Sequence, residues 1–171
     1  MLRPRASDRR PTESRRISRE LLHALHDVSG MKLVRIAEDV IFSLNETLKS
    51  RFGVGHIQLT VLVIVGLHQP ISLTAVARQS RMDKAWISRT IQGLVGRGLL
   101  ARTKHPTDRR GSLLSLSPAG EELLCDMAAV TLHHQERLLK GLRKRQVKQI
   151  LDILMIRAEE MLRTASRDGI A

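Results

Sequence analysis

The sequence predicts a mainly α-helical chain interrupted once by a small β-hairpin. Three observations carry this. Apolar residues recur at helical spacing over most of the 171 residues. The only stretch that reads as paired strands flanks a polar turn, Pro106-Thr107-Asp108-Arg109-Arg110-Gly111. Aromatic side chains make up only 2% of the chain (Phe42, Phe52 and Trp86), so the core has to be aliphatic.

Residues 1–16 hold six arginines and two prolines and read as a flexible basic arm. Ile17, Leu21, Leu22, Leu25 and Val28 then follow helical spacing up to Gly30. A second helix is expected from about Met31 to Phe52, closed by Gly53 and Gly55. A third, from His56 to His68, is apolar on nearly every side, which places it in the middle of a core. Gln69-Pro70 ends it. Two short helices follow, near 73–80 and 83–97, joined by the tight Ser80-Arg81-Met82 connection. Strands are expected at 99–105 and 112–117. Ser117 can N-cap the next helix and Pro118 suits its first position. That helix should run to about Gly141. The last, from about Lys144 to Thr164, carries Val147, Ile150, Leu151, Leu154, Ala158, Met161 and Leu162 on one long stripe, a pattern that wants a partner helix.

A formal charge of +12 calls for a polyanionic partner. Low aromatic content argues against base stacking on single strands. One cysteine, Cys125, allows no intrachain disulfide and fits a reducing, cytoplasmic setting. Its neighbours Leu123, Leu124 and Met127 suggest a buried, inert thiol. No run approaches the roughly 18 apolar residues of a membrane span, so no membrane partner is expected. His133-His134 are adjacent and unsuited to chelate from one helix face. Neither a metal nor a cofactor is expected. There is no P-loop, dinucleotide fingerprint or nucleophile motif, so an enzyme is not expected.

Helix, tight turn, helix and charged hairpin is the order of a winged helix-turn-helix. In its second helix Asp83 is a good N-cap, and Ile87, Ile91 and Leu94 form the inward stripe. The other face holds Ala85, Ser88, Arg89 and Gln92. Arginine can read guanine and glutamine adenine in the major groove. Lys84, Trp86 at the flank and Thr74 on the preceding helix complete the expected contact set on this part of the chain. On the hairpin, Arg102 and Lys104 share one strand face and can meet phosphates. Arg109 and Arg110 at the tip can enter a narrow minor groove. The same charge also fits a nonspecific architectural DNA binder, which needs no groove-reading face.

Asp83-Lys84-Ala85-Trp86-Ile87-Ser88-Arg89, Arg97-Gly98-Leu99, Asp108-Arg109-Arg110 and Leu116-Ser117-Pro118-Ala119-Gly120 together closely resemble the MarR family of bacterial regulators. Upstream, Gln58-Leu59 and Val61-Leu62 are similar to another of its helices. The resemblance covers about residues 31–165. It implies a homodimer on double-stranded DNA with a pseudo-palindromic operator, and dimerisation helices at 17–55 and 118–165 around a DNA-binding domain at 56–117, before a tail at 166–171. It also implies a repressor released by a small effector, often an aromatic acid or an acyl-CoA thioester, held between the dimer helices and each lobe. His23, His26, Arg35, His56 and His68 are the polar candidates near that crevice. Trp86 is bulky for the family's reading helix, and the segment before Met31 is longer than the family minimum.

Overall fold

The structure is a computed structural model that describes residues 18–104 and 111–167. The chain divides into two compact units, Met1–Ser43 and Leu44–Ala171. In the first, helix α1 (Arg19–Asp27) is followed at once by the start of α2 (Ser29–Phe52). Gly30 therefore lies inside the first turn of α2 rather than at a break. The division falls within α2, whose final turns, from Leu44, belong to the second unit.

The second unit continues with α3 (His56–His68), β1 (Ile71–Ser72), α4 (Leu73–Ser80), α5 (Lys84–Gly96), β2 (Leu100–Lys104), β3 (Ser112–Leu116), α6 (Pro118–Leu138) and α7 (Lys144–Arg167). The three strands form one antiparallel sheet in the order β1-β3-β2. Leu100 pairs with Leu116 and Lys104 with Ser112 across the hairpin. β1 is too short for any periodicity to announce it. It pairs Ile71 with Leu114 and Ser72 with Leu113, and Ser72 then N-caps α4 by accepting from the Ala75 N–H. Gln69 ties down the far end of β3, its Oε1 accepting from the Leu116 N–H at 2.8 Å.

One aliphatic core holds this unit together. α3 supplies Leu59, Val61, Leu62 and Val65 from several sides of the helix, as an all-round apolar pattern demands. Leu48, Val76, Ile87, Ile91, Leu94, Leu114 and Met127 close around them. Full burial of each such side chain contributes about 1.5–3 kcal/mol. Among the described residues no buried side-chain nitrogen or oxygen lacks a partner.

Ser117 works as expected and does more. Its hydroxyl accepts from the Gly120 N–H at the start of α6 and donates to the Gly98 carbonyl at 2.6 Å. Its own N–H donates to the Leu99 carbonyl. Gly120 packs so tightly on that carbonyl that a Cβ would overlap it. Cys125 departs from expectation, because it is exposed. It lies about 200° round α6 from buried Met127, whereas Leu123, Leu124 and Val130 flank that residue. On α7, Ile150, Leu151, Ile153, Leu154, Met155 and Ile156 are exposed in the single chain. No single described helix is long and apolar enough to cross a membrane; α2 and α3 pass that test only as a pair bent by 82°.

Candidate nucleic-acid interface

The reading helix α5 is built from its N-cap outward. The Asp83 carboxylate accepts from the Trp86 N–H at 2.9 Å, satisfying one of the orphan donors of the first turn. The tight connection before it is made by Arg81, whose backbone sits in the left-handed region at φ 55°. Ile87, Ile91 and Leu94 are buried and fix the helix to α3 and α4.

With that stripe inward, helical geometry turns Ala85, Arg89 and Gln92 outward, and all three are exposed. Lys84 is exposed at the first helical position, where the aligned N–H groups favour phosphate. Ser88 sits nearer the flank and is only half-buried. Trp86 flanks the opposite edge, 47% exposed and outside the buried core. Thr74 is exposed on α4.

Arg102 and Lys104 are exposed on β2. The two-residue period of a strand puts them on the same face as buried Leu100, so that face leaves the core between positions 100 and 102. Asp108, Arg109 and Arg110 lie outside the described residues, as does the basic arm of residues 1–16.

Two features escaped the sequence reading. Gly93 continues the outward line of Ala85 and Arg89 at four-residue steps and is exposed; that spacing could have found it. Arg97 caps α5, and its guanidinium donates to the carbonyls of Gly53 at 2.9 Å and Phe52 at 3.2 Å. No local pattern signals a contact 44 residues away.

The polar effector candidates fall in both units. In the first unit, Arg35 Nη1 lies 3.3 Å from His26 Nε2, beside a cleft of about 290 Å³ that Lys32 and Glu38 also line. His23 is exposed on α1. In the second unit, His56 is tied to Asn45, whose Oδ1 accepts from the His56 N–H at 3.2 Å and lies 3.4 Å from its Nδ1. Burial, then the nearby Lys49 charge, pushes the His56 pKa below its usual value. His68 is exposed at the other end of α3, roughly 18 Å along the axis from His56. His133 and His134, for all their adjacency, line one cleft with Arg51 and Arg137, of about 390 Å³. Among the described residues no three His, Cys, Asp or Glu side chains could hold a metal ion.

The model of the MarR family matches residues 56–112, from the start of α3 to the start of β3. A MarR-family transcriptional regulator from Rhodococcus sp. RHA1 superposes with a TM-score of 0.67 at 27% identity, over 80% of this chain and 94% of that one. Over residues 56–112 the chain matches the MarR family, and its fold is similar to solved members of that family. CouR from Rhodococcus jostii RHA1, solved with p-coumaroyl-CoA, is 29% identical with a TM-score of 0.66, over 76% of this chain and 91% of CouR. An uncharacterized HTH-type transcriptional regulator of Bacillus subtilis (strain 168), YhjH, is 29% identical over 104 residues, 61% of this chain and 59% of the relative's length. The family match ends inside the hairpin, so for α6 and α7 the likeness to MarR regulators rests on the structural superpositions alone.

Proposed function

We propose that this chain is a sequence-specific regulator of transcription. It acts as a homodimer on a pseudo-palindromic operator, as a repressor released by a small effector. One observation carries the DNA-reading part. α5 is anchored by three buried aliphatic residues and capped at both ends, and it turns Ala85, Arg89 and Gln92 to solvent beside Lys84. Small residues permit close approach, and Arg and Gln discriminate bases. The exposed apolar residues of α7 support a partner helix from a second copy. Two reading helices are then expected about one DNA turn, roughly 34 Å, apart. The bound p-coumaroyl-CoA of CouR supports an aromatic acid or its CoA thioester as effector class. A ligand that prefers a different lobe spacing lowers operator affinity by that preference.

The test is binding of the purified chain to DNA fragments from its own promoter region. A two-fold symmetric footprint and steep salt dependence are expected. Equal affinity for scrambled duplex refutes sequence reading and leaves an architectural binder. A thermal-shift screen of aromatic acids and their CoA thioesters tests the effector class.

A further inference from the structure

Arg97 is an exposed cation on the DNA-binding unit, and its first reading is one more phosphate contact. Its guanidinium is already engaged. Nη1 donates to the Gly53 carbonyl at 2.9 Å and Nη2 to the Phe52 carbonyl at 3.2 Å. These are carbonyls at the C-terminal end of α2, left without helical partners and carrying the negative end of its dipole. Gly53 sits at φ +64°, and the space a side chain would take there lies 3.9 Å from Nη2.

The other end of Arg97 is equally constrained. Its backbone N–H bonds the Gly93 and Val95 carbonyls, closing α5. Leu99 N–H returns to the Leu94 carbonyl at 2.9 Å. A planar two-donor fork fixed at both ends transmits orientation as well as attraction, which a single ammonium cannot do. We infer that Arg97 is a positioning residue. It locks the C-terminal end of the reading helix α5 to the C-terminal end of α2, and so sets the angle at which Arg89 and Gln92 meet base edges. This rests on the reading of α5 as the groove-reading helix.

The experiment uses the full chain as wild type, Arg97→Ala and Arg97→Lys, with a duplex selected from a random pool by the wild type and a scrambled control. Arg97→Ala is expected to lower the selected-to-scrambled affinity ratio about tenfold, the factor that 1.4 kcal/mol produces. The salt slope should stay unchanged, and Arg97→Lys should fall between the two. Loss of a phosphate contact instead lowers the slope by about 0.9 and spares the ratio, which overturns the assignment. So does a loss of affinity for both duplexes in proportion to a lower melting temperature, the signature of a merely structural cap.

A readout without DNA separates this inference from the functional one. Trp86 is the only tryptophan and lies in the first turn of α5. Arg97→Ala should alter its acrylamide quenching at temperatures where both proteins are folded. Unchanged quenching overturns the inference. If the wild type selects no sequence, the DNA-reading proposal fails, and the Trp86 signal alone decides whether Arg97 holds α5 in place.

Discussion

Adding one methyl group to Gly120 and to Gly93 should move stability in opposite directions. At Gly120 the new Cβ overlaps the Leu99 carbonyl oxygen and comes within 3.0 Å of its carbon. Both are backbone, so no rotamer change relieves the contact. The carbonyl is itself held, since it accepts from the Ser117 N–H at 3.2 Å and its residue's N–H bonds Leu94. Forcing α6 away costs about 1–3 kcal/mol of overpacking. Weakening the Ser117 bond adds about 0.5–1.5 kcal/mol. Gly120→Ala should therefore lose roughly 2–4 kcal/mol, a fall in melting temperature of roughly 5–15 °C for a chain of this size. At Gly93, mid-helix in α5, a Cβ meets nothing within 4 Å. Gly93→Ala should gain about 0.5–1 kcal/mol from the reduced backbone freedom of the unfolded chain. Urea unfolding followed by far-UV circular dichroism measures both. A Gly120→Ala midpoint at or above wild type, or a Gly93→Ala midpoint below it, refutes the packing reasoning.

Arg89→Ala should weaken binding to the selected duplex by roughly ten- to a hundredfold, the range of one bidentate base contact, while binding to scrambled DNA changes far less. Gel-shift titration checks it, and wild-type affinity removes Arg89 from the reading set. Ile91→Ala empties a fully buried site and should cost about 2–5 kcal/mol, read from urea midpoints. His56 has its pKa held below 6.5, so the unfolded chain binds its proton more readily. Its contribution to stability is complete above pH 6.5 and is lost as pH falls through the lower folded value. His56→Gln should flatten the pH dependence of the melting temperature across that window; an unchanged slope assigns it elsewhere. Cys125 should react with a bulky disulfide reagent in the native protein at a rate close to that in urea, and strong native protection contradicts its exposure on α6.

What the sequence made legible was local. Asp83 and Ser117 declare themselves as caps because each acts on an N–H three residues ahead. The stripe of Ile87, Ile91 and Leu94 declares a helix face through its own spacing. β1 was hidden because two residues have no period; only its pairing with β3 makes it a strand. Cys125 misled because adjacent apolar residues in sequence are not neighbours on a helix surface. The pairing of Arg97 with the end of α2 joins parts of the chain that only the fold brings together. The approach of Arg35 to His26 within the first unit was hidden for the same reason, since residue type marks a possible ligand but not its neighbour.

Ser72 belongs to two structures at once, pairing with Leu113 in the sheet and capping α4. The hairpin root and the start of the helix pair therefore share a residue and keep a common frame. Residues inserted or removed between Lys104 and Gly111 would leave that frame untouched. An insertion between Gln69 and Ser72 would shift the register of β1 or the phase of α4. In evolutionary terms the reach of the hairpin and the aim of the reading helix are separable, so one can diversify between paralogues while the other stays fixed.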